Sequence, residues 1–288
     1  MYYNIIFIIV ILVLLILFLL YNQAIDRRND RPNDRPNDNN KNNEQILITT
    51  SNKNINYLDG IDMIYWINLN RSNDRRKDMM NIFQDSAFNN IPNERVSAVD
   101  GMNPKVVYPR LNIVYKQKND YEYACTLSHL DTIRTFSQTN YDVALIMEDD
   151  ITMDFKKYWT KSVREIMDNA PANWEVIQLC YNTSFSPETF NLYERNMNNK
   201  CVCAAAYLIK NSAAKKLIAS IYINGKYNLD KNINHHADCY IFAKCITYTY
   251  KYPYFIYKTN NTSLLHPEDL MGHELSKSKI INMYQKLL

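Results

Sequence analysis

The stretch YDVALIMEDDITM, Tyr141 to Met153, runs an apolar segment, Val143 to Met147, straight into three carboxylates, Glu148, Asp149 and Asp150. A short apolar run of this kind reads as a strand buried on both faces, the sort that fills the middle of an α/β sheet. Three adjacent negative charges repel one another, and they fall where open α/β sheets bind ligands, beyond the carboxyl end of a strand. The segment thus predicts a sheet and, at its edge, a site. As a solvated turn, with Asp149 or Asp150 capping a following helix, the same residues would need no ligand.

On either side the pattern supports the sheet. Met63 to Leu69 and Glu175 to Cys180 read as buried strands, Arg95 to Val99 as a short strand ending in the turn pair Asp100-Gly101, and Val202 to Ile209 as another strand. Helices are expected after Ser72 or Asp74, over Glu122 to Ser137, Lys161 to Asn169, Ser212 to Ser220 and Asp238 to Ala243, and at the C-terminus through Ile280, Ile281, Tyr284 and Leu287. In the helix of Glu122 to Ser137, Cys125, Ser128 and His129 lie at i, i+3 and i+4, so they share a face. Ile246 to Tyr257 reads as extended, its alternating tyrosines suiting a half-buried strand. Strands alternating with helices predict an α/β domain with a mostly parallel central sheet covered on both faces.

Composition narrows the chemistry. A net charge of +3, with Lys and Arg scattered, provides no basic footprint for nucleic acid. Only four glycines occur in 288 residues and neither GxGxxG nor GxxxxGK[ST] is present, so no glycine loop cradles a phosphate. Six cysteines occur without a CxxC pair, which disfavours a structural zinc site, and Cys201 and Cys203 read as small buried apolar residues of a strand. Adjacent carboxylates behind a buried strand suit a hard divalent cation such as Mg²⁺ or Mn²⁺, which would also take over the handling of phosphate.

The N-terminus has a different character. Ile5 to Leu20 is an unbroken apolar run flanked by Tyr2, Tyr3 and Tyr21, which with its flanks matches the ~20 residues a helix needs to cross a bilayer. It lacks the preceding basic residues and small-x-small site of a cleaved signal, so residues 1–22 are expected to be one transmembrane anchor. Asp26 to Asn43, with the repeated tetrad R-[RP]-N-D and no apolar side chain, cannot form a core, so residues 23–56 are expected to be a disordered polar stalk, and 57–288 the folded domain.

WINLNRSNDRRKDMM (Trp66 to Met80), RVSAVDG (Arg95 to Gly101), ACTLSHLDTIRTF (Ala124 to Phe136) and ALIMEDDITM, followed in order by WEVIQL (Trp174 to Leu179), AAYLIKNSAAKKLI (Ala205 to Ile218), Asp238 and PYFIY, resemble glycosyltransferase family 25. That family includes lipooligosaccharide and procollagen galactosyltransferases. Two departures stand out: Ala124 replaces the family's usual Gly before Cys125, and no C-terminal donor-side segment is evident after Tyr257. The resemblance implies a GT-A type nucleotide-sugar-binding fold and a UDP-sugar donor. It also implies a divalent ion, Mn²⁺ or Mg²⁺, between the donor diphosphate and the acidic motif, and transfer with inversion.

On that basis Asp149 and Asp150 are the expected metal ligands, and Glu148 a further metal or ribose contact. Asp238 and Asp150 are the expected catalytic carboxylates, Asp238 as the base that deprotonates the acceptor hydroxyl. Asn68 and Arg75, or in its place Arg76, match the first motif, Asp100 the AVDG motif, and Ser128 and His129 the LSH motif, so these positions are expected around the donor nucleotide. Each has a simpler reading: a solvated helix face for the arginine, a turn for Asp100, a structural helix histidine for His129, a helix cap for Asp238. His266 is a weaker candidate metal ligand, and His235-His236 reads as loop.

The function expected is a metal-dependent glycosyltransferase moving a hexose, galactose or glucose, to a glycan, protein or lipid-linked acceptor. A non-catalytic binder of nucleotide-sugar or glycan, or a metal-dependent phosphoesterase, are the alternatives. Anchor, stalk and C-terminal transferase resemble type II enzymes with a lumenal catalytic domain, whereas Arg27, Arg28, Arg31 and Arg35 after the apolar run argue for the opposite orientation. Sequons at Asn70, Asn182, Asn260 and Asn261 matter only for a lumenal domain.

Overall fold

The computed structural model describes residues 55–115, 120–195, 201–259 and 270–287, all within one compact unit. The expected anchor and nearly all of the stalk lie outside these residues, as do His266 and the sequons at Asn260 and Asn261. Among the described residues no helix is long and apolar enough to cross a membrane.

In chain order the strands are β1 (Met63–Asn68), β2 (Asn93–Ser97), β3 (Val143–Glu148), β4 (Ile151–Thr152), β5 (Val176–Gln178) and β6 (Tyr193–Arg195). They continue as β7 (Ala206–Lys210), β8 (Tyr222–Ile223), β9 (Lys226–Tyr227), β10 (Thr247–Tyr250) and β11 (Ile256–Tyr257). The helices are α1 (Asn73–Ile82), α2 (Pro104–Val107), α3 (Asp120–Ser137), α4 (Val163–Asn169), α5 (Asn211–Ile221), α6 (Ala237–Lys244) and α7 (Leu270–Gln285). Each of the main predicted helices is present. The start of α4 has a stated cause, a capping box in which the Ser162 hydroxyl and the Glu165 carboxylate satisfy each other's backbone N–H.

Seven strands form the central sheet in the order β2-β1-β3-β7-β5-β10-β6. β1 is parallel to β2 and β3, and β5 to β10, but β7 runs antiparallel between β3 and β5, and β6 antiparallel at the edge. The expected mostly parallel sheet is therefore a mixed one. β7, buried along Ala206 to Ile209, has the same apolar composition as a parallel strand, so its residues carry no signal of direction. The expected strand over Val202 to Ile209 is also shortened: residues 201–205 are not in a strand.

Period-2 alternation divides the core between the faces. Ile64, Trp66, Leu145, Met147, Ile177 and Leu208 pack with Met79, Phe88, Ile166, Ile280 and Tyr284 on one side. Tyr65, Ile67, Ala144, Ile146, Val176, Tyr207 and Ile209 pack with Leu127, Leu130, Ile133, Ala213 and Leu217 on the other. At about 1.5–3 kcal/mol per large apolar side chain removed from water, both layers are strongly held. The sheet edge where β1 and β3 end is thus a firm base for the residues beyond it.

Candidate active site

Glu148 ends β3 opposite Ile67 of β1, which brings Asn68 beside the acidic residues that follow. Because β7 is antiparallel, its beginning lies at this same edge: Met147 pairs with Ala206, and the Glu148 N–H donates to the Ala205 carbonyl at 2.8 Å. Lys258, just after β11, donates its N–H to the Asp150 carbonyl at 2.7 Å. Two cavities adjoin here, of about 300 Å³ and about 130 Å³, and Cys125, Glu148 and Asp150 border both.

The three carboxylates have different surroundings. Asp149 is buried, with one oxygen accepting from Asn68 Nδ2 at 2.6 Å and the other from Arg75 Nη1 at 2.9 Å. Asn68 in turn is held by Arg76 and Arg95, whose Nε atoms donate to its Oδ1 at 3.2 and 2.9 Å, while Arg95 also reaches its carbonyl. Asp150 receives only a longer contact from Arg75, 3.4 Å to Oδ2, and its buried Oδ1 has no hydrogen-bond partner among the described residues. Burial and then the charge of Glu148 push the Asp150 carboxyl up to about 7. Burial works against the charge of Arg75, but Asp150 and Asp149 outweigh it and hold the guanidinium above its usual range. Arg75 touches two of these carboxylates, and Arg95, set further back on Asn68, acts on Asp149 through its charge, yet Glu148 and Asp149 still repel Asp150.

His129 is buried and bridges: Nε2 lies 2.9 Å from Glu148 Oε1, and Nδ1 lies 3.1 Å from the Tyr207 hydroxyl. Ser128 acts as a clip, accepting from the Val99 N–H at 2.8 Å and donating to the Ala124 carbonyl at 2.6 Å, which ties α3 to the chain beyond β2. Asp100 turns the chain by accepting from the Met102 N–H, and it pairs with Arg71 at 3.4 Å. Gly101 is required where it stands, since a Cβ there would lie 2.8 Å from the Tyr121 Cα. Arg71, Arg75, Gly101, Tyr121, Ser128 and His129 all line the smaller cavity.

Asp238 lies in the first turn of α6 and lines the larger cavity. Its oxygens accept from the Cys203 N–H at 2.6 Å and from the Cys239 N–H at 2.7 Å. Cys203 has φ +92°, a left-handed conformation that a side chain disfavours. It is held there from its other end by Gln178, whose Nε2 donates to the carbonyls of Val202 and Cys203 at 2.9 and 2.7 Å while its Oε1 accepts from Thr249. His236, expected to be loop, is at the start of α6, 3.2 Å from Glu122, and both face the larger cavity.

The structure therefore gathers Glu148, Asp149, Asp150, Asn68, Arg75, Ser128, His129 and Asp238 around one bipartite cleft, with the Asp100 turn at its margin. Arg95, Gln178 and Lys258 were not singled out from the sequence, while Cys203 was read only as a small buried strand residue and Asn182 only as a sequon. Arg95 opens the RVSAVDG motif and Lys258 follows PYFIY, so both stood next to a visible signal. Gln178 and Cys203 act through backbone contacts and carry none.

The sequence profile of glycosyltransferase family 25 (LPS biosynthesis protein) matches residues 61–233. No curated protein matches the chain. The matched span covers more than half of the sequence and contains every element of the smaller cavity together with the acidic residues after β3. The chain belongs to glycosyltransferase family 25.

Proposed function

We propose that this family member is a metal-dependent hexosyltransferase, moving galactose or glucose from a UDP-sugar to a glycan, protein or lipid-linked acceptor with inversion, on a GT-A type fold. One observation carries the reading: Asp150, a carboxylate whose buried Oδ1 has no partner among the described residues, stands beside Glu148 between two cavities and is repelled by its acidic neighbours. Of the expected metal ligands, Asp149 has both oxygens committed to Asn68 and Arg75, which favours Asp150 with Glu148 as the pair that would hold Mn²⁺ or Mg²⁺. Oxygen donors that repel one another fit a hard cation. When bound, such an ion supplies a Lewis acid that neutralises the leaving diphosphate.

The chain's own residues account for the remainder. Arg71 and Arg75 add positive charge on the smaller cavity, which suits the nucleotide diphosphate, and the Asp100 turn and Ser128 shape its wall. The larger cavity takes the sugar and the acceptor, with Asp238 receiving the acceptor hydroxyl's proton as its oxygen bonds to the anomeric carbon and the nucleoside diphosphate departs. The two backbone N–H donors fix the orientation of the Asp238 carboxylate. The test is release of nucleoside diphosphate from a panel of UDP-sugars with and without Mn²⁺. Turnover is expected only with metal and is expected to vanish in Asp150→Ala; full activity of that variant would overturn the assignment.

For location, the apolar run Ile5 to Leu20 supports a single-pass membrane protein, and the order anchor, stalk, transferase supports a lumenal domain against the arginines that follow the run. Protease protection in sealed vesicles tests the orientation. Glycan occupancy at Asn182 is unsuited to that purpose, because Asn182 lines the larger cavity.

A further inference from the structure

Cys125, His129 and Glu148 each offer one ligand atom, and the three atoms lie within 4.8 Å of one another. Cys125 and His129 are one turn apart on α3, so the helix sets the thiol and the imidazole on one side. Glu148 reaches them from the end of β3. The 2.9 Å between His129 Nε2 and Glu148 Oε1 is about half an ångström short of the ~3.4 Å edge of a tetrahedral site with metal bonds near ~2.1 Å. Only a small outward shift is needed to admit an ion. The outer support is also present: His129 Nδ1 contacts the Tyr207 hydroxyl at 3.1 Å, the second-nitrogen partner that orients a metal-binding imidazole. Cys125 borders both cavities, so an ion has a path in and a solvent molecule can take the fourth position.

We infer that Cys125, His129 and Glu148 form a binding site for a thiophilic divalent cation such as Zn²⁺ or Co²⁺, distinct in chemistry from the all-oxygen site for Mn²⁺ or Mg²⁺. Sulfur, nitrogen and oxygen together select a softer ion than carboxylates alone. Binding breaks the His129–Glu148 hydrogen bond and the Cys125 S–H bond: the proton between His129 Nε2 and Glu148 is given up and Nδ1 carries the ring's proton toward the Tyr207 hydroxyl, the thiol proton goes to solvent, and Sγ, Nε2 and the Glu148 oxygen replace three of the ion's water ligands. Glu148 is shared with the pair proposed above to hold the donor's metal, so a soft cation here withdraws a ligand from that pair. The inhibitory consequence rests on the transferase reading; the binding site does not.

The experiment is titration of the metal-stripped full-length protein with Co²⁺, with neither donor nor acceptor present. One equivalent is expected to produce a thiolate-to-cobalt charge-transfer band and tetrahedral visible absorption, reversed by Zn²⁺. Both are expected to be absent from Cys125→Ser and weakened about 10-fold or more in affinity in His129→Gln. An undiminished band in Cys125→Ser would assign the ion to other cysteines and overturn the site, as would no band in the wild type. In the presence of Mn²⁺ and donor, Zn²⁺ is expected to inhibit the wild type at about 10-fold or more lower concentration than Cys125→Ser. If no donor is turned over, the transferase reading fails while the cobalt spectrum still decides the site.

Discussion

Asp149 and Asp150 are neighbours of one residue type with opposite circumstances, so substituting each should have a different consequence. Asp149 is buried with both oxygens hydrogen-bonded. Its replacement by Ala removes one acceptor from Asn68 Nδ2, which keeps the Ser72 carbonyl, and one from Arg75, which keeps Asp150, and losing such charge-assisted bonds costs about 1–3 kcal/mol. Denaturant titration should show that loss. Asp150 has one buried oxygen, Oδ1, without a partner among the described residues, and its carboxyl stands at about 7, raised by burial and by Glu148. A native carboxyl above its unfolded value holds a proton that the unfolded chain has already released. Stability of the metal-free protein is therefore expected to fall as pH rises from about 4 to about 7 and to level off beyond. Asp150→Asn should abolish that slope and stabilise the metal-free chain by about 1–3 kcal/mol at pH 8, read by unfolding in the presence of a chelator. The run EDD was legible as a site because its charge density is written in the sequence. Which carboxylate each neighbour satisfies depends on Arg75 and Asn68, which reach it from other parts of the chain.

At the scale of the element, the decisive piece is the segment before β7. Its residues 201–205 look like a strand in sequence, and only the antiparallel entry of β7 brings them to the site edge. Cys203 there adopts φ +92°, a conformation glycine accepts without strain, in a chain with only four glycines. Cys203→Gly should fold at least as stably as the wild type, whereas Cys203→Val should lose about 1–3 kcal/mol. Gln178 is fully buried and donates to two carbonyls of this segment; in Gln178→Leu the Val202 carbonyl keeps the Asn182 N–H but the Cys203 carbonyl loses its donor, which should cost about 1–3 kcal/mol. A structural loss alone would lower the melting temperature and spare turnover of the folded fraction. If the segment also aims Asp238, kcat per folded molecule should fall while the donor KM stays within about 2-fold, measured well below the melting transition. The helices were easier to read than this segment, because caps and the 3.6-residue period lie within each helix's own sequence, as the Ser162–Glu165 box illustrates. The direction of a buried strand is fixed by the path of the chain on either side.

Across the whole molecule, the wall of Cys125, Glu148 and Asp150 between two cavities divides the labour. The α/β class and the motifs on the smaller cavity were legible because β1, the β2 turn and α3 each carry a local signature. The larger cavity was not, since it is assembled from residues near 122, 182, 203, 238, 258 and 273, which share no pattern. The division makes a kinetic claim. If the smaller cavity binds the nucleotide, Arg71→Ala removes charge from the diphosphate side and should raise the donor KM about 10-fold while changing kcat little, because the lost contact is equal in ground and transition states. If Asp238 receives the acceptor's proton, Asp238→Asn keeps its shape and its place in the first turn of α6 but loses the base. Its kcat for transfer should fall about 10²–10⁴-fold with the donor KM nearly unchanged. Donor KM and acceptor kcat measured for both variants at saturating Mn²⁺ give a two-by-two outcome. A rise in donor KM for Asp238→Asn without loss of kcat would move the nucleotide into the larger cavity and reverse the roles of the two chambers.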